Sequence, residues 1–399
     1  MSHAAPLDGL RVLEISSFVA SPLCGLTLAQ LGAEVIRIDP VGGAGDQHRW
    51  PLAPSGTSIY WTGLNKGKKS VTLNFRDPDG RRLVAGLVAA SGPGGGIVVT
   101  NAVGRPWLGY DELAAVRPDL IHVQVLGHHD GRPAVDYTIN AGLGFPLITG
   151  PEEHKGPVNH VLPAWDVACG LYAAIGVLSA ERRRRATGEG SRITLALEDV
   201  ALAVAGHLGY LAEAQLGADR PRIGNHLYGG FARDFATADG ERVMVATVTG
   251  RQFADLAAAT GLAGTFAELE RLLGADFGVD GDRYQHREVI ASLLTPWFAA
   301  RRLDEVASGL AGRSVLWSPY RRFSDLVAGG GLAGNSLLRE IDQPGVGRVL
   351  AAASPLEQDG RLEPTPASRL GGDTAGVLAG LLGLSEPEVR ALAERGVIG

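Results

Sequence analysis

The sequence has little that would tie it to nucleic acid, to a membrane or to a disulfide framework. Its net charge is −6 over 399 residues, so it has no overall electrostatic attraction for DNA, RNA or an anionic membrane surface. It has only two cysteines, Cys24 and Cys169, which excludes a disulfide scaffold and favours free thiols in a reducing compartment. Neither a signal-peptide pattern nor an apolar run of membrane-spanning length is present. We therefore expect a cytoplasmic protein with no nucleic-acid or membrane partner.

Several catalytic and ligand-binding motifs are missing as well. The ten histidines show no metal-ligand spacing, and we interpret the adjacent His128 and His129 as solvated, so no bound metal is expected. The sequence has no G-x-S-x-G elbow and no P-loop, and the loop at residues 16–22 lacks a G-x-G-x-x-G fingerprint. A Ser-His-Asp hydrolase, a P-loop nucleotide and a nicotinamide dinucleotide are all disfavoured.

The pattern that is present is an alternation of short apolar strands with helices. The predicted strands are 11–15, 34–39, 70–74, 97–100, 120–126, 192–197 and 241–248. The predicted helices include one begun by Ser21 as cap and Pro22, and others at 79–90, 110–116, 166–185 and 199–216. Such alternation predicts an α/β fold with an open, parallel, Rossmann-like sheet. We expect a large domain at 1–220, completed by the returning segment 335–399, and a smaller α+β domain at 225–330.

Asp166 is the acidic residue whose surroundings stand out. It begins a long apolar helical pattern, among Trp, Ala, Val and Gly. At that place the helix dipole and nearby N–H groups favour the ionised carboxylate. The pattern alone is equally consistent with a plain helix cap and with a partly desolvated nucleophile that forms covalent acyl intermediates.

Two basic runs and one loop leave similar choices open. The arginines at 182–185 end a predicted helix, where cations suit the dipole, and we interpret them as a solvated helix end. Lys66, Lys68 and Lys69 lie in a loop before a strand and indicate either an anion-binding site or a solvated turn. The loop at 16–22 is either an ordinary β–α turn or the place where a phosphate-bearing ligand meets a helix N-terminus.

Taken together, these segments resemble the family III CoA-transferases, the group that includes formyl-CoA transferase, carnitine CoA-transferase and α-methylacyl-CoA racemase. The likeness covers nearly the whole chain. The segments that carry it are 7–14, 20–22, 28–40, 65–74, 99–106, 224–225 and 239–240. In that family the catalytic aspartate precedes a small-residue helix, and Asp166 occupies that position.

The resemblance implies roles for particular residues. Asp166 would be the nucleophile, and the backbone N–H groups of Gly229 and Gly230 would stabilise tetrahedral oxyanions. The residues expected to contact the acyl-CoA substrate are Phe18, Val19, Ala20, His48, Arg49, Lys66, Lys68, Asn101, Arg105, Asp136 and Tyr137. His48 and Arg49 are the expected partners of a distal carboxylate. Coenzyme A is expected as part of the substrate, with no tightly bound cofactor, and the protein as an interlocked homodimer.

Three departures from the family pattern bear on the reaction. Racemases of the family carry a histidine base just before the acid at position 136, where this chain has Val135, so two-base racemisation is not expected. The glycine-rich loop of formyl-CoA transferase is reduced to Tyr-Gly-Gly-Phe at 228–231, and Val19 stands in place of a glutamine. Fewer pieces of a two-substrate site remain, which favours a reaction whose CoA donor and acceptor are one molecule.

The primary hypothesis is therefore transfer of CoA between the two carboxyl groups of one unsaturated C5 dicarboxylate. The alternative within the family is transfer from a dicarboxylyl-CoA to a separate free acid. A third hypothesis, a CoA- or nucleotide-binding regulatory protein without catalysis, is disfavoured by the intact acid at position 166. Incubation of a CoA thioester with and without an acceptor distinguishes the first two hypotheses.

Overall fold

The computed structural model of the chain describes residues 5–332, 334–358 and 360–399. The strands are β1 (Arg11–Ile15), β2 (Glu34–Pro40), β3 (Lys69–Leu73), β4 (Ile97–Thr100), β5 (Ile121–Leu126), β6 (Ser191–Ala196), β7 (Phe231–Ala236), β8 (Arg242–Thr247), β9 (Leu316–Pro319), β10 (Leu338–Gln343) and β11 (Gly347–Ala352). The helices are α1 (Ala20–Ala29), α2 (Ile59–Leu64), α3 (Pro78–Ala89), α4 (Tyr110–Val116), α5 (Asp136–Ala141), α6 (Phe145–Ile148), α7 (Ala164–Thr187), α8 (Leu197–His207), α9 (Tyr210–Gln215), α10 (Gly250–Thr260), α11 (Ala263–Leu273), α12 (Asp280–Gln285), α13 (Arg287–Ala299), α14 (Leu303–Leu310), α15 (Phe323–Ala328), α16 (Thr374–Leu382) and α17 (Glu386–Glu394).

The chain divides into two compact units. The first comprises Met1–Leu143, His160–Leu216 and Gly334–Gly399, and the second Gly144–Asn159 and Gly217–Ala333. Residues 144–159 interrupt the stretch expected as one large domain, because Arg222 of the second unit binds them. Its guanidinium donates to the carbonyl oxygens of Pro146 at 3.1 Å and Leu147 at 3.0 Å. No local sequence pattern reveals that long-range attachment.

The first unit is built on a parallel sheet of six strands in the order β3-β2-β1-β4-β5-β6. Strands β1, β2, β4 and β5 are rich in Val, Ile and Leu and are buried along most of their length, as strands covered on both faces require. The strand order reverses between β1 and β4, and ligands bind such sheets in the crevice beyond the carboxyl ends at this point. The loops after β1, β2, β4 and β5 all leave from that edge, so the predicted site segments share one end of the sheet.

The second unit combines the antiparallel sheet β7-β8-β9 with helices α10 to α14. Its core is aromatic, with Phe253 meeting Phe231, Phe266 and Phe277 at centroid distances of 6.3, 5.1 and 5.5 Å. Aromatic pairs at these separations add packing energy beyond the area they bury. This unit therefore has a hydrophobic core of its own.

Two predicted helices differ from what the structure shows. Helix α1 begins at Ala20 after Val19, so Ser21 is not the cap: it lies inside the helix, buried, and its hydroxyl has no hydrogen-bond partner within the described part of the chain. The single helix predicted at 199–216 is two helices, α8 and α9. Gly209 separates them with a φ of 84°, a left-handed conformation that glycine adopts without steric cost.

Candidate active site

The start of α7 is held by a carboxylate from another helix. Pro163 precedes α7 and supplies no capping side chain. Instead Asp136, the first residue of α5, accepts the backbone N–H groups of Trp165 at 2.7 Å and Asp166 at 3.2 Å through Oδ2. These are the second and third residues of the helix, whose N–H groups a cap normally binds. Asp136 is 2% exposed and its carboxylate binds the backbone of α7, so its predicted contact with substrate stays a prediction.

Two more contacts fix this cap. His160 Nε2–H donates to Asp136 Oδ1 at 3.0 Å, and the indole N–H of Trp165 donates to Asn140 Oδ1 on α5 at 3.1 Å. The first turn of α7 is thus attached to α5 by backbone and side chain together. His160 was not among the residues predicted for the site.

Asp166 is a half-buried carboxyl with a raised pKa. Burial is the largest cause, the negative charge of Asp136 adds to it, and the positive charge of Arg49 opposes it, so the pKa of Asp166 rises from 3.8 to about 7. The sequence had suggested that the helix dipole would favour the ionised form. The pKa instead shifts in the opposite direction, because loss of water and a second carboxylate both raise it. At neutral pH the residue is poised between acid and carboxylate.

Arg49 lies between two aromatic rings beside Asp166. Its guanidinium carbon is 5.7 Å from the ring centroid of Phe18 and 5.1 Å from that of Tyr60. Burial raises the pKa of Tyr60 to about 12; the charge of Asp166 also raises it, and the charge of Arg49 lowers it. The hydroxyl of Tyr60 therefore stays protonated and can donate a hydrogen bond. Tyr60 was not predicted from the sequence, where it is one of two adjacent aromatic residues in 59–64. A cation and a phenol here suit a negatively charged ligand.

The loop after β1 is strained and braced. Phe18 has a φ of 68°, which is uncommon for a residue with a side chain, and its ring is 43% exposed. Its N–H donates to Asp46 Oδ2 at 2.9 Å. The preceding Ser17 donates its N–H to Asn101 Oδ1 at 3.1 Å and accepts from Asn101 Nδ2 at 2.8 Å. The amide of Asn101 therefore braces the loop across the switch point, and its predicted contact with substrate stays a prediction.

A buried ion network lies beneath this loop. Arg37 is completely buried and binds Asp39 at 2.8 Å, Asp46 at 3.2 Å and Glu14 at 3.5 Å, and it also donates to the carbonyl of Ser16 at 3.1 Å. Burial opposes its charge, but the three carboxylates raise the pKa of Arg37 above its usual value. Because Asp46 also holds the backbone of the exposed loop, the network connects the sheet to the site.

Lys68 belongs to the same network. Its ammonium donates to Glu14 Oε2 at 2.7 Å, to the Pro22 carbonyl at 2.8 Å and to Asn65 Oδ1 at 2.9 Å. It is 3% exposed and all three of its protons are donated within the network, and the prediction that it binds CoA stays a prediction. Lys66 is half-buried and donates to the Thr62 carbonyl at 3.2 Å; burial lowers its pKa.

Arg105 lies beside a small cavity at the carboxyl end of β4. The cavity has a volume of about 280 Å³ and is also lined by Ala102, Leu108 and Gln124. The guanidinium of Arg105 is 5.3 Å from the ring centroid of Phe75. A cation next to an aromatic ring and a hollow is suited to a phosphate or a purine base.

The remaining predicted contacts in the first unit occupy the same edge of the sheet with different exposure. His48 and Tyr137 are exposed, Val19 is half-exposed, and Ala20 is 3% exposed at the start of α1. A ligand at this edge would meet the side chains of the first two and the backbone of the last.

Gly229 and Gly230 belong to the second unit, immediately before β7. Gly229 has a φ of 77°, and a Cβ there would meet no other atom within 4 Å. The neighbouring Tyr228 packs on Tyr284 with centroids 5.2 Å apart. Their predicted part in catalysis stays a prediction.

The described residues, 5–332, 334–358 and 360–399, contain neither a metal-binding group nor a membrane-spanning helix. In those ranges no group of three or more His, Cys, Asp or Glu side chains has the geometry of a metal site. No helix in them has both the length and the apolar character needed to cross a membrane. Cytoplasmic location stays a prediction.

Comparison with known proteins settles the family. A sequence profile described as CoA-transferase family III matches residues 7–374. The chain belongs to CoA-transferase family III. It is an enzyme that transfers CoA, as the sequence resemblance predicted, and members of this family use CoA substrates.

Individual relatives agree with this assignment. The chain is 48% identical over 398 residues to the 2-methylfumaryl-CoA isomerase of Chloroflexus aurantiacus, covering 98% of this chain and 97% of that protein. It is 27% identical to the succinyl-CoA–L-malate CoA-transferase beta subunit of the same organism, covering 98% of each. A crystal structure of a CAIB/BAIF family protein from Brucella suis superposes with a TM-score of 0.78 at 26% identity, over 95% of this chain and all of that one. The predicted α/β fold class is confirmed.

Proposed function

We propose that this family III enzyme moves CoA between the C1 and C4 carboxyl groups of mesaconyl-CoA, the 2-methylfumaryl-CoA isomerase reaction. The observation that carries the proposal is the half-buried Asp166 with Arg49 beside it: one side chain suits a covalent acyl carrier, and the other suits the free carboxylate of a dicarboxylic substrate. The likeness to the Chloroflexus isomerase over nearly the full chain supports this substrate.

The first half of the reaction would transfer the acyl group and then CoA to the protein. A carboxylate oxygen of Asp166 attacks the C1 thioester carbonyl, the C–S bond breaks, and CoA leaves as a thiolate, which produces a mixed anhydride. The thiolate then attacks the aspartyl carbonyl of that anhydride. The substrate carboxylate leaves with its electron pair, and CoA is held as a thioester of Asp166.

The second half repeats these steps at the other end of the same molecule. The C4 carboxylate attacks the aspartyl thioester, CoA leaves again as a thiolate, and an anhydride forms at C4. The thiolate attacks the C4 carbonyl and releases Asp166 as a carboxylate. No proton is gained or lost, so the reaction requires the ionised form of Asp166 and no general base.

The protein would contribute position and charge stabilisation. A dicarboxylate retained in one closed site reacts at an effective molarity worth up to ~7–11 kcal/mol in ideal cases. Arg49 and the Tyr60 hydroxyl are suited to bind the carboxylate that is not reacting. Backbone N–H groups of Gly229 and Gly230 are the proposed oxyanion donors.

We place the CoA moiety along the carboxyl edge of the parallel sheet. Arg105 with its adjoining cavity suits the nucleotide end, and Lys66 is a second cation available to the phosphates. The exposed Phe18 ring, next to Arg49, suits the pantetheine arm near the reacting thioester.

Intermolecular transfer is the second candidate, since the succinyl-CoA–L-malate transferase subunit matches the chain over its full length. Purified protein incubated with mesaconyl-C1-CoA alone and followed by mass-spectrometric chromatography separates the two. We expect the C4 isomer to appear without any acceptor, and Asp166→Asn to abolish it while Asp130→Ala, an exposed surface control, does not. Turnover that depends on an added acid would contradict the intramolecular scheme, and residual turnover in Asp166→Asn would contradict the covalent one.

We further propose that the enzyme is a homodimer. In the first unit, α7 exposes Leu171, Tyr172 and Ile175, and α8 exposes Leu202, with relative exposures of 45, 44, 60 and 38%. Large apolar side chains grouped on adjacent helices are typical of an interface with a second chain. The family resemblance adds that the two chains interlock.

A further inference from the structure

The nucleophile's helix is held through two successive side chains, and the outer one is a histidine that the reaction scheme does not use. His160 Nε2–H donates to Asp136 Oδ1, and Asp136 Oδ2 accepts the N–H groups of Trp165 and Asp166. We propose that His160 is a positioning residue: it fixes and partly neutralises the Asp136 carboxylate, and through it sets both the placement and the ionisation of Asp166. The proposal rests on the function proposed for Asp166 and specifies how that residue is controlled.

Because Asp136 is buried, its hydrogen bond from His160 matters for the position of its carboxylate. The Asp136 side chain is 2% exposed, so water cannot replace a lost partner at Oδ1. His160 is 27% exposed and reaches Asp136 from the segment just before α7. A buried carboxylate oxygen without a donor is costly, and the carboxylate would turn to share its remaining donors. Such a turn would weaken the bonds to the backbone of Trp165 and Asp166 and displace the nucleophile.

The same contact affects charge. Asp136 from α5 and Arg49 from the loop after β2 act on the charge of Asp166. Burial raises the pKa of Tyr60 from α2 and of Cys169 one turn along α7, and Asp166 in turn raises both further. Asp136 raises the pKa of Asp166 and Arg49 lowers it. A hydrogen bond donated by His160 draws negative charge on Asp136 away from Asp166. Removal of that donor should raise the pKa of Asp166, whereas removal of the Asp136 charge should lower it.

Two readouts with four variants test the proposal. The first is the pH dependence of kcat and KM for CoA exchange in His160→Ala, His160→Gln, Asp136→Asn and the exposed control His129→Ala. The second needs no substrate: ¹³C NMR titration of aspartate side-chain carboxyls, with the Asp166 signal assigned as the one missing from Asp166→Asn. The NMR arm remains informative even if mesaconyl-CoA is not the substrate.

We expect His160→Ala to lower kcat at neutral pH about tenfold with little change in KM, and to move the acid limb and the NMR midpoint of Asp166 upward. His160→Gln, which retains an N–H donor, should recover most of kcat. Asp136→Asn should move the midpoint downward, and His129→Ala should behave as wild type.

If His160 had a purely structural role, His160→Ala and Asp136→Asn would both lower activity, and the titration midpoint of Asp166 would not move in opposite directions in the two variants. An unchanged midpoint in His160→Ala, or His160→Gln as impaired as His160→Ala, would overturn the proposal. If His160→Ala fails to fold, two measurements still test the proposal. They are the Asp166 midpoint in Asp136→Asn compared with wild type, and the kcat of His160→Gln compared with wild type.

Discussion

Asp136 accepts the backbone N–H of Asp166 at 3.2 Å, so the carboxylate that anchors the start of α7 is also the carboxylate that opposes the ionisation of Asp166. One residue thus has two effects of opposite value. It fixes the position of Asp166 and makes Asp166 harder to deprotonate. The positive charge of Arg49 lowers the pKa of Asp166 and so opposes the electrostatic effect of Asp136.

The pH dependence of exchange should follow the ionisation of Asp166. In the proposed mechanism the Asp166 carboxylate is the nucleophile, and because the pKa of Asp166 is about 7, kcat should rise through that pH and level off above it. Initial rates measured from about pH 5 to about pH 9 provide the test. A rate that is flat across that range would show that ionisation of this residue does not limit the reaction.

Asp166→Asn should stabilise the fold at neutral and alkaline pH. A carboxyl with a higher pKa in the folded state than in the unfolded chain binds its proton more tightly when folded, so its ionisation costs stability above the folded pKa and nothing below the unfolded one. A rise from 3.8 to about 7 corresponds to ~4 kcal/mol at most, which residual solvent contact reduces to about 1–3 kcal/mol.

Urea unfolding at about pH 8 and about pH 4 measures this effect. Asp166→Asn should have a larger free energy of unfolding than wild type at the higher pH, and this difference should disappear at the lower pH. Equal stability of variant and wild type at the higher pH would mean that burial of the charged form carries no cost.

Arg49→Gln should weaken both substrate binding and the nucleophile. Loss of a charge-assisted contact to the distal carboxylate should raise KM about ten- to hundredfold. Loss of the cation should also move the acid limb of kcat to higher pH, since Arg49 lowers the pKa of Asp166. Steady-state kinetics across pH report both effects, with the exposed Arg132→Gln as control. Unchanged KM would remove Arg49 from the site.

Arg37→Met should destabilise the first unit strongly. The substitution leaves Glu14, Asp39 and Asp46 buried without their shared cation, which in comparable buried networks costs about 3–5 kcal/mol. Denaturant unfolding measures the loss. Arg390→Met, which breaks an exposed pair with Glu386, should change stability by less than about 1 kcal/mol. Similar losses in the two variants would contradict the importance of the buried network.

Ile175→Glu should shift the protein toward monomer if the α7 and α8 face is the dimer interface. Ile175 is 60% exposed in the single chain, and a buried glutamate at an apolar interface is strongly unfavourable. Sedimentation velocity over a range of concentrations shows the state. Val116→Glu, an exposed substitution on α4, should leave it unchanged. A monomeric wild type would contradict the homodimer.

The sequence predicted local structure better than it predicted roles. Strands such as β1 and β4 were predicted correctly because a short run of apolar, mostly β-branched residues between turn signals is typical of a buried strand. Asp166 was identified through the family resemblance. Its raised pKa was not, because that depends on burial and on Asp136, thirty positions away in the chain.

The hydrogen-bond partners of Lys68 and Asn101 could not be predicted from the sequence, for the same reason in both cases. A lysine-rich loop and a polar residue after a strand both look ready to meet a ligand. Lys68 instead pairs with Glu14, and Asn101 with Ser17, in each case across more than fifty residues of chain. No local pattern distinguishes a polar side chain that faces solvent from one committed to a distant partner.

The close packing around α1 limits which substitutions the protein can accept at two glycines. Gly170 lies where a Cβ would be 2.6 Å from the Ala20 carbonyl oxygen, and Gly25 lies on α1 against the buried pair of Glu14 and Lys68. A side chain at Gly170 would push α1 and α7 apart, and a side chain at Gly25 would displace the buried Glu14 and Lys68. Variants selected in the laboratory for new acyl groups should therefore accumulate changes in the exposed loops near His48, while positions 25 and 170 admit no replacement.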